Sequence, residues 1–143
     1  MWRTLRTVLI GAVLVIAVVA IGLGRTLTEP PGDPVDCDDP VAWDQADARV
    51  GESAAVEGPV AEVTWAQDVG GAPTFLNLGA PHPDEPRFDV VVYADVREAI
   101  AFDLHALEGE GVCAAGTIGQ RDGVAQIVVA HPAGLERHEG AGP

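Results

Sequence analysis

Between Pro81 and Asp89 the chain reads PHPDEPRFD, which places His82, Asp84, Glu85, Arg87 and Asp89 close together. Imidazole and carboxylates are metal ligands, and carboxylates beside an arginine are parts of a metal-assisted phosphodiesterase. The spacing argues against both chemistries. PHPDEP carries none of the intervals that zinc or calcium loops use, and acidic loops are ordinarily solvated. For phosphate chemistry Arg87 with Asp84 and Asp89 is the nearest grouping, and the remaining parts of such a site are missing. Ser53 is the only serine, so no Ser, His and Asp arrangement exists. His105 and His131 read as surface or satisfied histidines. The sequence therefore predicts no catalytic residue, no metal and no cofactor: a protein that binds and does not catalyse.

Cys37 and Cys113 are the only cysteines. In an oxidising compartment a lone pair points to a disulfide, which would close a loop of about 75 residues and stabilise by roughly 4 kcal/mol in the chain-entropy model. Two unrelated thiols are the alternative, because the sequence does not show whether their Cα atoms come within bridging reach.

The elements that must position these groups follow from hydrophobic period. PVAWDQADARV, after Asp39, predicts a short helix with Asp39 as N-cap, Pro40 at its first position and Val41, Ala42, Ala46 and Val50 on one side. In ESAAVEGPVAEVTW, Ala54, Val56 and Val60 share a parity that Val63 breaks, which predicts a strand bent or bulged at Gly58-Pro59. Thr74, Leu76 and Leu78 alternate with Phe75 and Asn77, and FDVVVY predicts a third strand from Phe88 to Tyr93. Val96, Ile100, Leu104 and Leu107 are spaced by four, four and three, a helical stripe that Asp95 and Glu98 would open with a capping box. Val112, Ala114 and Ile118 share one face of a fourth strand; Ala125, Ile127 and Val129 share one face of a fifth, after the turn QRDG. Cys113 then points away from the core face, where the preceding linker could lie across it.

The order β-β-β-α-β-β, with a bent first strand and a helix before the fourth, predicts a mainly β fold: a five-stranded OB barrel plugged at one end by the helix. Strands two and three of that barrel would carry the binding surface, with Phe75, Asn77, Arg87 and Tyr93 as its candidate residues. Trp65 and Phe88 are possible aromatic neighbours, although Phe88 and Phe102 read better as core.

The stretches WDQA, VGESAAVEGPVAEV, PTFLNLG, FDVVVY and LEGEGVCAAGTIGQRDGVAQIVVAHP resemble a group of small bacterial OB-fold proteins of nucleic-acid-binding type. The resemblance spans residues 43–135 and brings with it a fold and no catalytic motif. Charge opposes the activity it suggests. From Thr26 onward there are 22 acidic residues against 5 Arg, a net of -17, and affinity for nucleic acid rests on neutralising phosphate. An acidic barrel suits a protein or basic partner better.

Ahead of this domain, residues 7–24 form an uncharged run of 18 that would span roughly 27 Å as a helix, enough to cross a bilayer core. Arg3 and Arg6 precede it and Arg25 follows, so the charge bias places the N-terminus inside. A cleaved signal peptide is the other reading, but its apolar region is usually shorter and ends in a small-x-small site. The expected organisation is a membrane anchor at 1–26, a linker rich in Pro and Asp at 27–39, an OB domain at 40–137 and a disordered tail at 138–143. The expected function is a membrane-anchored, single-pass, extracytoplasmic binding or interaction module; a single-stranded nucleic-acid-binding protein is the alternative.

Overall fold

The computed structural model describes residues 37–138. The expected membrane helix, most of the linker and the tail from 139 onward lie outside the described residues. Among the described residues no helix is long and apolar enough to cross a membrane.

The described residues form seven strands: β1 (Val41–Ala42), β2 (Ser53–Trp65), β3 (Thr74–Leu78), β4 (Phe88–Val92), β5 (Gly111–Arg121), β6 (Val124–Val128) and β7 (Leu135–His138). Five of them close a ring in the order β2-β3-β4-β6-β5, with β5 returning to β2. All its contacts are antiparallel except β4 with β6. Closure depends on β2, whose 13 residues serve two partners within the ring. Ser53–Pro59 pairs with β5, and Val60–Trp65 pairs with β3. Pro59 falls at the exchange, where the strand needs no further ladder donor from that residue; its carbonyl accepts from Gly79 N at 3.0 Å.

The inward residues are those the alternation marks out. Val56, Val60, Leu76, Leu78, Phe88, Val90, Val92, Val112, Ala114, Ile118, Ala125, Ile127 and Val129 form one buried cluster, joined by Ala46, Leu104, Leu107 and Leu135. The parity change at Val63 has a structural cause, placed two residues later than expected. The register of β2 against β3 shifts between Val60 and Glu62, so that Val60 faces Leu78 and Val63 faces Leu76. An extra residue there, and not a break at Gly58-Pro59, turns Val63 back toward the core.

Two predicted helices are corrected. The opening segment does not start at Asp39 and Pro40: Val41–Ala42 is extended and pairs in parallel with Val56 and Glu57. Only then does a 3-10 turn run over Trp43–Arg49. Of its expected apolar side, Ala46 is fully buried while Val50 is exposed. The cause is covalent. Cys37 is bonded to Cys113, with Cα atoms 6.2 Å apart, and Cys113 stands opposite Glu57 on β2. The entering chain is thereby held alongside β2, where it extends to use the free edge. The predicted bridge is thus present, and its outward-pointing Cys113 is wholly buried.

The long helix over 95–107 is also replaced. A single α turn at Ala94–Arg97 has Tyr93 at its N-cap without a side-chain bond, so the Asp95 and Glu98 capping box does not form. A separate 3-10 turn covers Leu104–Leu107. Between them Asp103 takes an extended conformation and its carboxylate accepts from His105 N at 3.0 Å. A short acceptor side chain bonding to backbone two residues on competes with a continuing helix. The stripe nonetheless meets the core, since Leu104 and Leu107 are buried in it and Val96 and Ile100, partly buried, pack against it.

Strands β1 and β7 were not anticipated. Each lies outside the ring: β1 pairs with β2 at Val56 and Glu57, ahead of the part of β2 that pairs with β3, and β7 pairs with β5 at 111–114, ahead of the part of β5 that pairs with β6. They are short, and β7 has Leu135 as its one buried residue.

Trp43 packs against the core beside two glycines. A Cβ added at Gly58 or at Gly79 would overlap its indole, and Gly79 also has φ +85°. Gly79→Ala is expected to cost about 2 kcal/mol, combining left-handed strain with displacement of the ring. Gly109 has the same φ and nothing within 4 Å. Gly109→Ala should therefore cost only the backbone share, and urea denaturation of the two variants separates the contributions.

Candidate functional site

The register of the ring lines up one row of outward side chains across four strands. Glu62 on β2 stands opposite Asn77 on β3, Asn77 opposite Asp89 on β4, and Asp89 opposite Gln126 on β6. The next row reads Thr64, Phe75, Val91 and Val128. The outer face of the sheet is thus divided into a polar row beside a largely apolar one. Above it lie the β3–β4 loop, with His82 and Arg87, and the two-residue β5–β6 turn, where Asp122 and Gly123 both have positive φ.

These parts enclose a cleft of about 430 Å³, lined by Glu62, Thr64, Phe75, Asn77, Arg87 and Gln126 among others. That volume falls within the range of about 300 to 1,000 Å³ typical of small-molecule sites. Its floor is rigidly tied. Asp89 Oδ1 accepts from Arg87 Nε at 2.9 Å and from Asn77 Nδ2 at 2.8 Å. Arg87 Nη1 also donates to the Asp84 carbonyl at 3.2 Å, and His82 N donates to Glu62 Oε2 at 2.9 Å. The first bond holds the loop on itself, and the second fastens it to β2.

The Arg87 and Asp89 side chains are 9% and 13% exposed, so their pairing is largely shielded from water. Removing one partner of a buried ion pair leaves the other charge uncompensated. Arg87→Ala is expected to destabilise by about 3 kcal/mol, and Asp89→Asn added to it should recover part of the loss. A double-mutant cycle in urea measures that coupling.

Asn77 is 2% exposed, and its Oδ1 has no hydrogen-bond partner among the described residues. A buried acceptor left this way costs about 1 to 3 kcal/mol. At the rim, Arg121 and Asp122 form a loose pair at 3.9 Å and are largely exposed.

Of the four residues proposed from sequence, Phe75, Asn77 and Arg87 line this cleft. Tyr93 does not: its ring lies over Gly71, beside Ala94 and Asp95 at the start of the α turn. Strand β4 ends at Val92, one residue short of the expected run, and Tyr93 becomes a helix cap. Trp65 is also elsewhere. Arg97 stacks on its ring at 4.6 Å and His105 meets it edge-on at 6.5 Å. Phe88 is fully buried in the core. Glu62, Thr64, Arg121, Asp122 and Gln126 are cleft residues that sequence reasoning did not bring to the site, and Asp89 was grouped with Arg87 only as a candidate for phosphate chemistry. Alternation alone would have set Asp89 and Gln126 on outward positions; Glu62 required the bulge.

The acidic loop supplies no chelating set. Asp84 meets Arg87 through its backbone carbonyl and does not line the cleft. Among the described residues no group of three or more His, Cys, Asp or Glu is placed to hold a metal ion.

Compared with known proteins, the chain matches no family model and no curated protein.

Proposed function

We propose that this chain is an OB-fold binding module without catalytic activity, held outside the cytoplasm by an N-terminal membrane anchor, and that the cleft over β2, β3, β4 and β6 receives its ligand. The five-strand ring, with β4 parallel to β6 and helical turns between β4 and β5, supports the OB assignment. The Cys37–Cys113 bond supports an oxidising compartment. Residues 7–24 support the anchor by their length and lack of charge.

The observation that carries the binding role is the row of Glu62, Asn77, Asp89 and Gln126 beside Phe75 in a cleft whose floor is fixed by hydrogen bonds. A few convergent polar groups next to an aromatic face, in a preformed hollow, are the ordinary makings of a recognition site. The reading without catalysis rests on how the cleft's acidic groups are used: Asp89 is committed to Arg87 and Asn77, and Glu62 accepts from His82 N.

A photoreactive residue introduced at Phe75 in full-length protein should crosslink a specific ligand or partner in cells, whereas one at exposed Val50 should not. Equal labelling from both positions would reject the cleft as the site. Gel shifts with single-stranded DNA at low and moderate salt test the nucleic-acid alternative, for which tight and strongly salt-dependent binding is the signature.

A further inference from the structure

We propose that the outer edge of β7 docks an extended, basic segment of another protein, which adds to the sheet there as an antiparallel strand. This surface is separate from the cleft and does not depend on it. Strand β7 ends the sheet: its one strand partner among the described residues is β5. The phase of that ladder shows what the other side of β7 offers. Val60 N donates to the Glu110 carbonyl and Ile118 N to the Glu52 carbonyl, each at 2.8 Å, so residues 112, 114, 116 and 118 turn their backbone groups toward β2. Gly111 and Cys113 therefore turn theirs toward β7, where they meet His138 and Glu136. The backbone groups of Leu135 and Arg137 point the opposite way. Leu135 N donates to the Pro132 carbonyl, which leaves the Leu135 carbonyl and both backbone groups of Arg137 on the open side. An edge of this kind is a template for a further strand.

The cross-strand rows define the side chains that such a strand needs. One row runs Val56, Ala114 and Leu135, and all three are buried. The row on the opposite face runs Glu57, Cys113 and Glu136. A residue placed opposite Leu135 continues an apolar row, whereas one placed opposite Glu136 meets a carboxylate. Arg137 Nη2 lies 3.6 Å from Glu110 Oε1, and His138 Nδ1 lies 3.5 Å from Glu57 Oε2. Glu136 is thus left without an ion pair among the described residues. The wider field, with 22 acidic residues against 5 Arg from Thr26 onward, also draws a basic partner. The segment that fits alternates Lys or Arg with apolar residues.

Other occupants fit less well. A second copy would pair about a two-fold axis perpendicular to the sheet. Centred on β7, that axis sets Glu136 or Arg137 opposite its own counterpart, and it joins two bodies that each carry a net of -17. Residues 27–36 of this chain bring Pro30, Pro31 and Pro34 together with Glu29, Asp33 and Asp36, a sequence poor in amide donors and of the wrong charge. Strand β1 offers only Val41 and Ala42 before the chain turns at Trp43.

The experiment titrates full-length protein in mild detergent with a capped heptapeptide that alternates lysine and valine, read by fluorescence anisotropy and amide chemical shifts. Its controls are a glutamate-for-lysine peptide and two N-methylated forms, one methylated at the valines and one at the lysines. With lysine opposite Glu136, the valine amides face β7. The parent peptide should saturate the protein below about 1 mM and shift the amides of Leu135 and Arg137, and the glutamate peptide should not bind. Methylation at the valines should weaken binding by more than about tenfold, and methylation at the lysines by less than about threefold. Arg137→Pro removes the outward donor and leaves the β5 ladder whole, so it should weaken binding about tenfold; Glu136→Gln should do so about threefold.

Equal binding by the two methylated peptides would mean charge attraction without strand addition and overturns the proposal. That comparison uses the parent protein, so it decides the matter even if Arg137→Pro does not fold. Binding indifferent to a folded Arg137→Pro also overturns it. Should affinity fall in Phe75→Ala and not in Arg137→Pro, the peptide lies in the cleft and the edge assignment fails while the cleft reading stands. Concentration-dependent dimers that Arg137→Pro abolishes would make a second copy the occupant, and the basic partner falls.

Discussion

Cys37→Ser is expected to lower the stability of the folded domain by about 4 kcal/mol, with a fall in Tm of roughly 15 °C or more. The bond joins residues 76 apart in sequence, so opening it releases a long loop in the unfolded chain. Its effect on the folded side is local. Cys37 fixes the segment that becomes β1, which has only two residues paired against β2. The variant should therefore lose β1 before it loses the ring. Native-state hydrogen exchange measures this: amides paired through Val41 and Ala42 should exchange much faster in Cys37→Ser, while those of β4 and β6 track the global change. Cys37→Ser is the cleaner choice, because Cys113 is wholly buried and a serine there would also bury a hydroxyl. A variant as stable as the parent, with β1 still protected, would show that the bond contributes nothing measurable.

Phe88→Ala should cost about 4 kcal/mol, the other large effect. Phe88 has no exposed surface and stands opposite Leu78 in the β3–β4 register, so truncation leaves a cavity in the buried cluster. Phe88→Leu, which keeps most of the volume, should cost about 1.5 kcal/mol or less. The comparison with Phe75 is instructive. Both are aromatic residues of neighbouring strands, but Phe75 is only partly buried on the outer face. Its removal should leave the urea midpoint near the parent's and show itself in binding. A Phe75→Ala loss as large as that of Phe88→Ala would mean that the two rings share a structural role.

Much of the inside was legible in advance. Thr74, Leu76 and Leu78 against Phe75 and Asn77, or Ala125, Ile127 and Val129 against Gln126, declare their faces by period alone. The stripe Val96, Ile100, Leu104 and Leu107 identified residues that meet the core, yet it misled about the backbone between them. The same spacing is satisfied by two short turns with Asp103 capping the second. Spacing reports which side chains face inward; it does not report whether every intervening residue is helical.

The cleft was half legible. Phe75, Asn77 and Arg87 could be picked out because a strand's outward positions and its loop are local facts. Their relation to Glu62 and Gln126 could not. Glu62 joins the row through a register shift in β2, and Gln126 arrives from a strand 37 residues beyond Asp89 in the chain. Tyr93 illustrates the opposite failure: it continues the apolar run of β4 in sequence, but the chain leaves the sheet at Val92 and turns its ring onto Gly71.

What the sequence determined by itself was therefore the alternation that divides inside from outside, the strongly acidic balance, and the single pair of cysteines. Each is a property of the residues or of their immediate neighbours. The tertiary structure decided the rest: where β2 bulges, that two short strands pair along β2 and β5 outside the ring, and that Arg87, Asp89 and Asn77 share one hydrogen-bonding centre shielded from water. Strand pairing sets these features, and pairing joins segments far apart in the chain, so no local pattern of residue types encodes it.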